Sequence, residues 1–272
     1  MTTGPRPPVH GSSIRSAATP DSRRPLPLRT RLSMFVRLLA IQGSWNYETL
    51  LGNGIGFSVE PALRMLPEGR AGSAYRAALA RESRYFNSHP YLAGVAVGAL
   101  ARAEVDGVAP EKIERFRTAC CGPLGSVGDR LVWAGWLPFC SLGALVAFGL
   151  GASPWLVVVL FLVAYNTGHI ALRAWGLDAG WNRGLKVAAA LGNPVLRRGP
   201  HYIAQAAAVL AGVALPLALS RLLGAGQSLL GPVMIAVVVG AIVLARLHGR
   251  VQGWRIALGA IAVLVLISVI VA

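Results

Sequence analysis

Negative charge is scarce in this chain, and lysine is nearly absent. It holds 11 Asp and Glu against 26 Lys and Arg, and Lys112 and Lys186 are its only lysines. Charged residues make up 14% of the sequence, against about 25% in an ordinary soluble domain. That shortage argues against a soluble globular protein before any motif is read. Cysteine is scarce too, with Cys120, Cys121 and Cys140 alone. No CxxC pair or neighbouring histidine cluster offers a zinc site. The adjacent Cys120 and Cys121 read as small apolar packing residues, and no disulfide is expected.

Signatures of catalysis are missing as well. The chain has no GxxxxGK[ST] phosphate loop, and GNGIG at 52–56 does not match GxGxxG. It has no GxSxG elbow and no HExxH pair. The five histidines, His10, His89, His169, His201 and His248, lack the local partners of a metal-bound or phosphorylated histidine. His169 falls inside an uncharged run and is the one to test. Neither a cofactor nor a self-contained catalytic centre is expected.

What the chain does have is length without charge. It is 54% hydrophobic over 272 residues, with a mean hydropathy of +0.56. Residues 131–172 hold no Asp, Glu, Lys or Arg. That is twice the roughly 20 residues a membrane helix needs. Gly and Pro at 149–154 break the run, so two spans are expected, at about 131–150 and 154–173. Further uncharged blocks at 199–220, 222–245 and 256–272 give three more. The fold class expected is an all-α integral membrane protein with about five transmembrane helices in its C-terminal half.

Basic residues orient these spans. The turn at 149–154 has none, whereas the next connection carries Arg173, Arg183, Lys186, Arg197 and Arg198. A later one carries Arg246, Arg250 and Arg255. The alternation places the N-terminus in the cytoplasm and the C-terminus outside. The net charge of +15 therefore reads as membrane topology rather than as a nucleic-acid surface. Residues 1–28 are Pro- and Arg-rich with no apolar run for a signal peptide, and are expected to form a disordered basic tail.

Residues 29–130 read differently. Two short apolar stretches, 34–41 and 50–66, are interrupted by Gly52, Gly54, Gly56 and Pro61, and suggest broken or re-entrant helices. Residues 73–86 read as a polar surface helix. Residues 91–104 are small and apolar and end at Glu104. Residues 110–119 read as a charged helix opened by Pro110. Three Gly and a Pro within 122–129 argue against a regular helix interior there.

Polar and aromatic residues beside apolar blocks are the binding candidates. Asn46, Glu48, Asn87, Glu104 and Asp129 offer the amides and carboxylates that recognise sugar hydroxyls, and Trp45 offers a flat face for a ring. Each also has a plainer reading: Trp belongs at a membrane interface and Asn caps helices.

In order along the chain, QGSWNYE (42–48), RYFNSHP (84–90), Glu104, CGPLGSVGDRLVW (121–133), Asn166 and GLDAGWNRG (176–184) resemble the IID membrane subunit of the mannose/fructose/sorbose family of the bacterial phosphotransferase system. The resemblance covers about residues 31–272. It implies a subunit of the inner membrane that assembles with IIC as the sugar-translocating unit. Soluble IIA and IIB would supply phosphoryl groups, so this subunit needs no phosphorylated residue of its own and is not itself an enzyme. It also implies that 42–48 is a signature helix near the partner and the sugar path.

The chain departs from the family pattern at Val105, Gly125, Ser126, Arg130 and His169, and in a shortened segment at 224–227. Those departures motivate an alternative, a transport-inactive regulatory or scaffolding protein of the same fold. A lipid-modifying membrane enzyme and a DNA-binding protein are the disfavoured readings.

Overall fold

The computed structural model describes residues 25–187 and 194–223. Among them every named element is helical. The helices are α1 (Leu28–Leu39), α2 (Gly52–Leu63), α3 (Ser73–Glu82), α4 (Ala93–Val105), α5 (Pro110–Gly128), α6 (Leu137–Gly149), α7 (Pro154–Arg183) and α8 (Pro194–Leu223). Three helical stretches are long and apolar enough to cross a membrane: Pro110–Gly149, Pro154–Val187 and Arg198–Arg221. They match three of the five expected spans. The span expected at 222–245, apart from its first two residues, and the span at 256–272 lie outside the described residues. So do residues 1–24 of the expected tail and the segment 224–227.

The core forms around α4. Every residue from Ala93 to Glu104 is buried, as expected of a helix that is apolar on all sides. α4 crosses α7 where Gly94 and Gly98 of one helix meet Gly176 and Gly180 of the other. A Cβ on Gly98 would sit 2.2 Å from the Leu177 carbonyl oxygen, and one on Gly180 would sit 2.3 Å from the Val95 carbonyl oxygen. The two backbones thus touch, as small residues spaced four apart allow. Met34 and Leu38 of α1, Ile55 and Val59 of α2, and Ile113 and Leu124 of α5 close around this centre, each fully buried.

The hairpin of spans turns where expected. α6 ends at Gly149, and α7 starts with Pro154 in its first turn, capped by Ser153 Oγ, which accepts from the Leu156 N–H at 3.4 Å. α7 then runs ten residues past the expected 173. Beyond that point its exposed surface gives way to Gly176, Leu177, Gly180 and Trp181 buried in the protein. Tertiary packing against α4 extends a helix that hydropathy alone would stop.

Two expectations change at the other end of the first span. The charged helix at 110–119 and the span at 131–150 are one continuous helical stretch, Pro110–Gly149. The Gly- and Pro-rich segment does not break it. Pro123 lies inside α5 on an exposed face, and Gly122 and Gly125 face open space. The irregularity comes just after: Asp129–Trp136 is π-helical, a widened winding that is rare and frequent at functional sites.

Candidate functional site

The site is built where three segments distant in sequence are tied together. The first is 42–48, and here the expected signature helix is corrected: the residues form a turn and loop between α1 and α2. Asn46 is the physical reason. Its Oδ1 accepts from the backbone N–H of Glu48 and of Thr49, each at 2.9 Å, and its Nδ2 donates to Thr49 Oγ1 at 2.9 Å and to the Ser44 carbonyl at 3.2 Å. A side chain that captures local backbone groups competes with helix formation. Leu50 then takes a left-handed φ of 49°, which no helix interior accommodates.

Both ends of this loop are held. At its start, the buried Arg173 of α7 donates to the Leu38 carbonyl in the last turn of α1, where the helix dipole favours a cation. At its end, the Leu51 N–H donates to the Phe86 carbonyl at 3.0 Å, and the Phe86 N–H donates to the Thr49 carbonyl at 3.1 Å. Phe86 is fully buried, so the second segment, 84–90, is anchored beside the first. Arg117 of α5 fixes it from below, donating to the carbonyls of Arg84 at 2.9 Å and Tyr85 at 3.4 Å and pairing with Glu82.

His89 joins the second segment to the third. Its N–H donates to the Leu124 carbonyl at 3.4 Å, and its ring lies 5.5 Å from that of Trp133. Gly128 is required at this contact, since a Cβ there would fall 2.1 Å from His89 Cβ. The His89 Nδ1 accepts from the Tyr91 N–H at 3.1 Å. Burial pushes its pKa down to about 4; Asp129 opposes that shift and Arg173 reinforces it. His89 is therefore a neutral hydrogen-bonding group near pH 7, placed between a surface carboxylate and a buried guanidinium.

The six expected binding residues divide on this frame. Trp45, Asn46 and Glu48 share the first loop, Asn87 lies on the adjoining segment, and Asp129 reaches the same seam through His89. Trp45, Glu48, Asn87 and Asp129 are exposed. Tyr47, Tyr85 and Trp133 add exposed aromatic surface to this rim, and Trp45 meets Tyr47 edge-on at 4.8 Å. Glu104 is elsewhere, near the far end of α4, roughly 16 Å along the helix from Ala93. It is buried and accepts both arms of Arg81, each at 2.8 Å. Clefts of about 640, 580 and 410 Å³ occur on the described surface, and none is lined by any of the six.

Below the rim lies a polar cluster of which the sequence reading singled out His169 and Asn166 but not their partners. Tyr91 and Tyr165 share a hydroxyl hydrogen bond of 2.8 Å. Tyr91 also stacks on His169 at 4.9 Å and lies under the Arg173 guanidinium at 4.7 Å. His169 Nε2 bonds Asn166 Oδ1 at 2.9 Å. Three of its polar atoms, His89 Nε2, His169 Nδ1 and Arg173 Nε, are buried without a partner. The available signal was spacing: Tyr165, His169 and Arg173 recur every four residues on one face of an otherwise apolar helix. Among the described residues no group of three or more His, Cys, Asp or Glu is placed to hold a metal ion.

Residues 26–210 match the model of the PTS system mannose/fructose/sorbose family IID component. The mannose-specific EIID component of Escherichia coli (strain K12) is 31% identical over 172 residues, covering 61% of this chain and 59% of that protein. The sorbose-specific EIID component of Klebsiella pneumoniae is 30% identical over 173 residues, covering 61% of each. The fructose permease IID component of Bacillus subtilis (strain 168) is 29% identical over 162 residues, covering 57% of each. The matched segment thus spans about three fifths of these relatives. The fold is shared with a chain in the cryo-EM structure of the mannose transporter ManYZ with microcin E492, at a TM-score of 0.53 and 22% identity over 89% of this chain and 96% of that one. With three spans in the described part and the loop, His89 and Gly128 contacts joining its motif segments, the chain belongs to the mannose/fructose/sorbose family of phosphotransferase-system IID components.

Proposed function

We propose that this chain works with a IIC subunit as the sugar-translocating unit of a phosphoenolpyruvate-dependent phosphotransferase system for mannose-, fructose- or sorbose-type sugars. The carrying observation is the seam: three motif segments, separated by up to about 80 residues, meet in one rim that exposes aromatic faces and carboxylates together. In this reading Trp45 is an aromatic wall, and Glu48, Asn87 and Asp129 offer hydrogen bonds to sugar hydroxyls or to IIC. Asn46 and Glu104 act through the segments they hold, Asn46 by shaping the loop and Glu104 by fixing Arg81. IIA and IIB carry the phosphoryl group, and this subunit undergoes no phosphorylation. Residues 29–272 form its membrane domain in the bacterial inner membrane, with the N-terminus cytoplasmic and the C-terminus outside.

The test is co-expression with the neighbouring IIC, followed by co-purification and uptake of labelled mannose, fructose and sorbose. Asp129→Asn and Glu48→Gln should lower uptake or apparent sugar affinity roughly 10-fold or more, the scale of one charge-assisted hydrogen bond, without loss of the complex. Unchanged uptake in both would remove these carboxylates from the sugar path. A stable complex that takes up none of the three sugars would favour the regulatory alternative.

A further inference from the structure

Two buried carboxyl groups meet at the end of α3. Glu82 is fully buried, and Glu104 of α4 is 7% exposed. Glu104 lies within hydrogen-bonding reach of the Glu82 side chain. Both Glu104 oxygens accept from Arg81, each at 2.8 Å. Glu82 Oε2 accepts from Arg117 Nη1, whereas Glu82 Oε1 is buried without a partner. Two carboxylates at bonding distance repel, and burial makes that repulsion costlier. One proton changes the contact. Carried on Glu82 Oε1, it is donated to Glu104, and the unpartnered atom becomes a donor. It belongs on Glu82, because Glu104 already holds a guanidinium by both oxygens.

The charges around this pair are accounted for. On α3, Arg81 is occupied by Glu104. On α4, Arg102 turns to Asp106 at 2.6 Å. α5 brings Arg117 to Glu82, with Glu114 3.8 Å from Arg117 Nε and 2.9 Å from Arg84. α2 also packs against α3 and has one charged residue, Glu60, which Arg37, Arg64, Arg70 and Tyr75 occupy. Burial lifts the Glu82 carboxyl above its ordinary range, against Arg117 and with the help of Glu104.

Arg117 connects the pair to the rim. Besides Glu82 Oε2 it donates to the carbonyls of Glu82 at 3.3 Å, Arg84 at 2.9 Å and Tyr85 at 3.4 Å. Its guanidinium lies 5.3 Å over the buried Phe86 ring. One side chain thus ties the carboxyl pair to the segment that carries Tyr85 and Asn87.

We propose that Glu82 and Glu104 share one proton at neutral pH and that its loss to solvent loosens the 84–90 segment, making the pair a pH-sensitive latch beneath the rim. With the proton in place, α3, α4 and α5 are joined through Glu82. Without it, Glu82 is repelled from Glu104 and draws Arg117 with it, so the carbonyl bonds of Arg117 weaken. A carboxyl raised above its ordinary 4.5 contributes fully below that pH and loses its contribution as pH rises.

The test uses the full chain in mild detergent. Infrared spectra of protein with isotope-labelled glutamate, taken near neutral pH, should show a protonated carboxyl band that Glu82→Gln lacks. Hydrogen exchange over residues 82–92, corrected for the intrinsic pH dependence of amide exchange, is then followed from about pH 5 to about pH 9. Protection in wild type should fall by up to about 10-fold per pH unit and level off once the proton is lost. Glu82→Gln keeps the shape, offers an amide N–H to Glu104 and should hold its protection throughout. Glu104→Gln removes the repelling charge and should flatten the same slope. A slope that Glu104→Gln leaves unchanged would mean that Glu82 titrates by itself, and would overturn the shared proton. Absence of the carboxyl band from wild type would overturn it too. Equal protection of wild type at both ends of the range would overturn the latch.

Discussion

Replacing Gly98 by alanine adds a single methyl group, yet it should separate two helices. The new Cβ would lie 2.2 Å from the Leu177 carbonyl oxygen, 2.6 Å from the Trp181 nitrogen and 3.1 Å from the Gly180 carbonyl carbon. Ordinary contact begins at 3.4 Å, so α4 and α7 must part by about 1.2 Å at that point (3.4 minus 2.2). All three obstacles are backbone, and no rotamer change relieves them. Since the crossing is shared with Gly94, Gly176 and Gly180, the gap spreads along the contact and loosens Leu177 and Trp181, which are 1% and 3% exposed. Overpacking of a tight core costs about 1–3 kcal/mol, occasionally more, and this site belongs at the top of that range. For a chain of this size about 3 kcal/mol corresponds to a fall in Tm of roughly 6–12 °C. The assay is thermal unfolding in detergent, read by loss of the monodisperse gel-filtration peak. Gly143→Ala is the control: a Cβ there meets nothing within 4 Å, and alanine improves helix propensity by about 1 kcal/mol. Equal midpoints for Gly98→Ala and Gly143→Ala would refute the idea that backbone contact at this crossing holds the fold.

Stability should decline at both ends of the pH range, through two different carboxylates. Burial raises the pKa of Glu60, but hydrogen bonds from Arg64, Tyr75 and Arg70 outweigh it and hold it at about 2 against an ordinary 4.5. Its contribution is present above pH 4.5 and is lost as pH falls from there toward 2. Glu60→Gln should flatten that acid limb and lower the neutral-pH midpoint. Glu82 is the opposite case: burial pushes its carboxyl above the ordinary 4.5, with nearby Glu104 adding to the rise and Arg117 opposing it. Its contribution is present below pH 4.5 and declines as pH rises above that value, so Glu82→Gln should flatten the alkaline limb in the same unfolding series. Asn46→Ala removes the bonds that shape the 42–48 loop and should cost about 1–2 kcal/mol. Asn46→Asp keeps the acceptor for Glu48 and Thr49 and should cost less, a ranking that hydrogen exchange over residues 42–51 can check. Arg173→Met should speed exchange of the same loop while α8 is unaffected.

The membrane half of the fold was legible because the bilayer imposes length and apolarity directly on the sequence. The uncharged run at 131–172, with its break at 149–154, placed the α6–α7 hairpin without knowledge of any contact. The ends of the helices were less legible, because protein rather than lipid decides them. α7 continues to Arg183 because Gly176 and Gly180 find α4, and that partner lies about 80 residues upstream. Both GxxxG patterns, at 94–98 and 176–180, were visible, but nothing local says that they face each other. The same limit applies at the site. Motif order identified the three segments, yet it gave 42–48 a helix, and only the capture of the Glu48 and Thr49 N–H groups by Asn46 accounts for the loop. Glu104 illustrates the converse error. A carboxylate at the end of an apolar helix has two physical readings, a site facing a ligand or an ion pair closing a core, and the sequence does not distinguish them. Arg81 does, by lying one α-helix away and offering both nitrogens. The Tyr165, His169 and Arg173 stripe could have been read in advance, since polar groups spaced four apart in a membrane helix need partners on one face. The structure places Tyr91 there, directly beneath the rim that carries Trp45, Asn87 and Asp129. The segments that carry the rim therefore meet α7 both through Tyr91 and through the Arg173 bond to the Leu38 carbonyl, and Tyr91→Phe, which removes the bond to Tyr165 but keeps the ring against His169 and Arg173, isolates what the hydroxyl contributes.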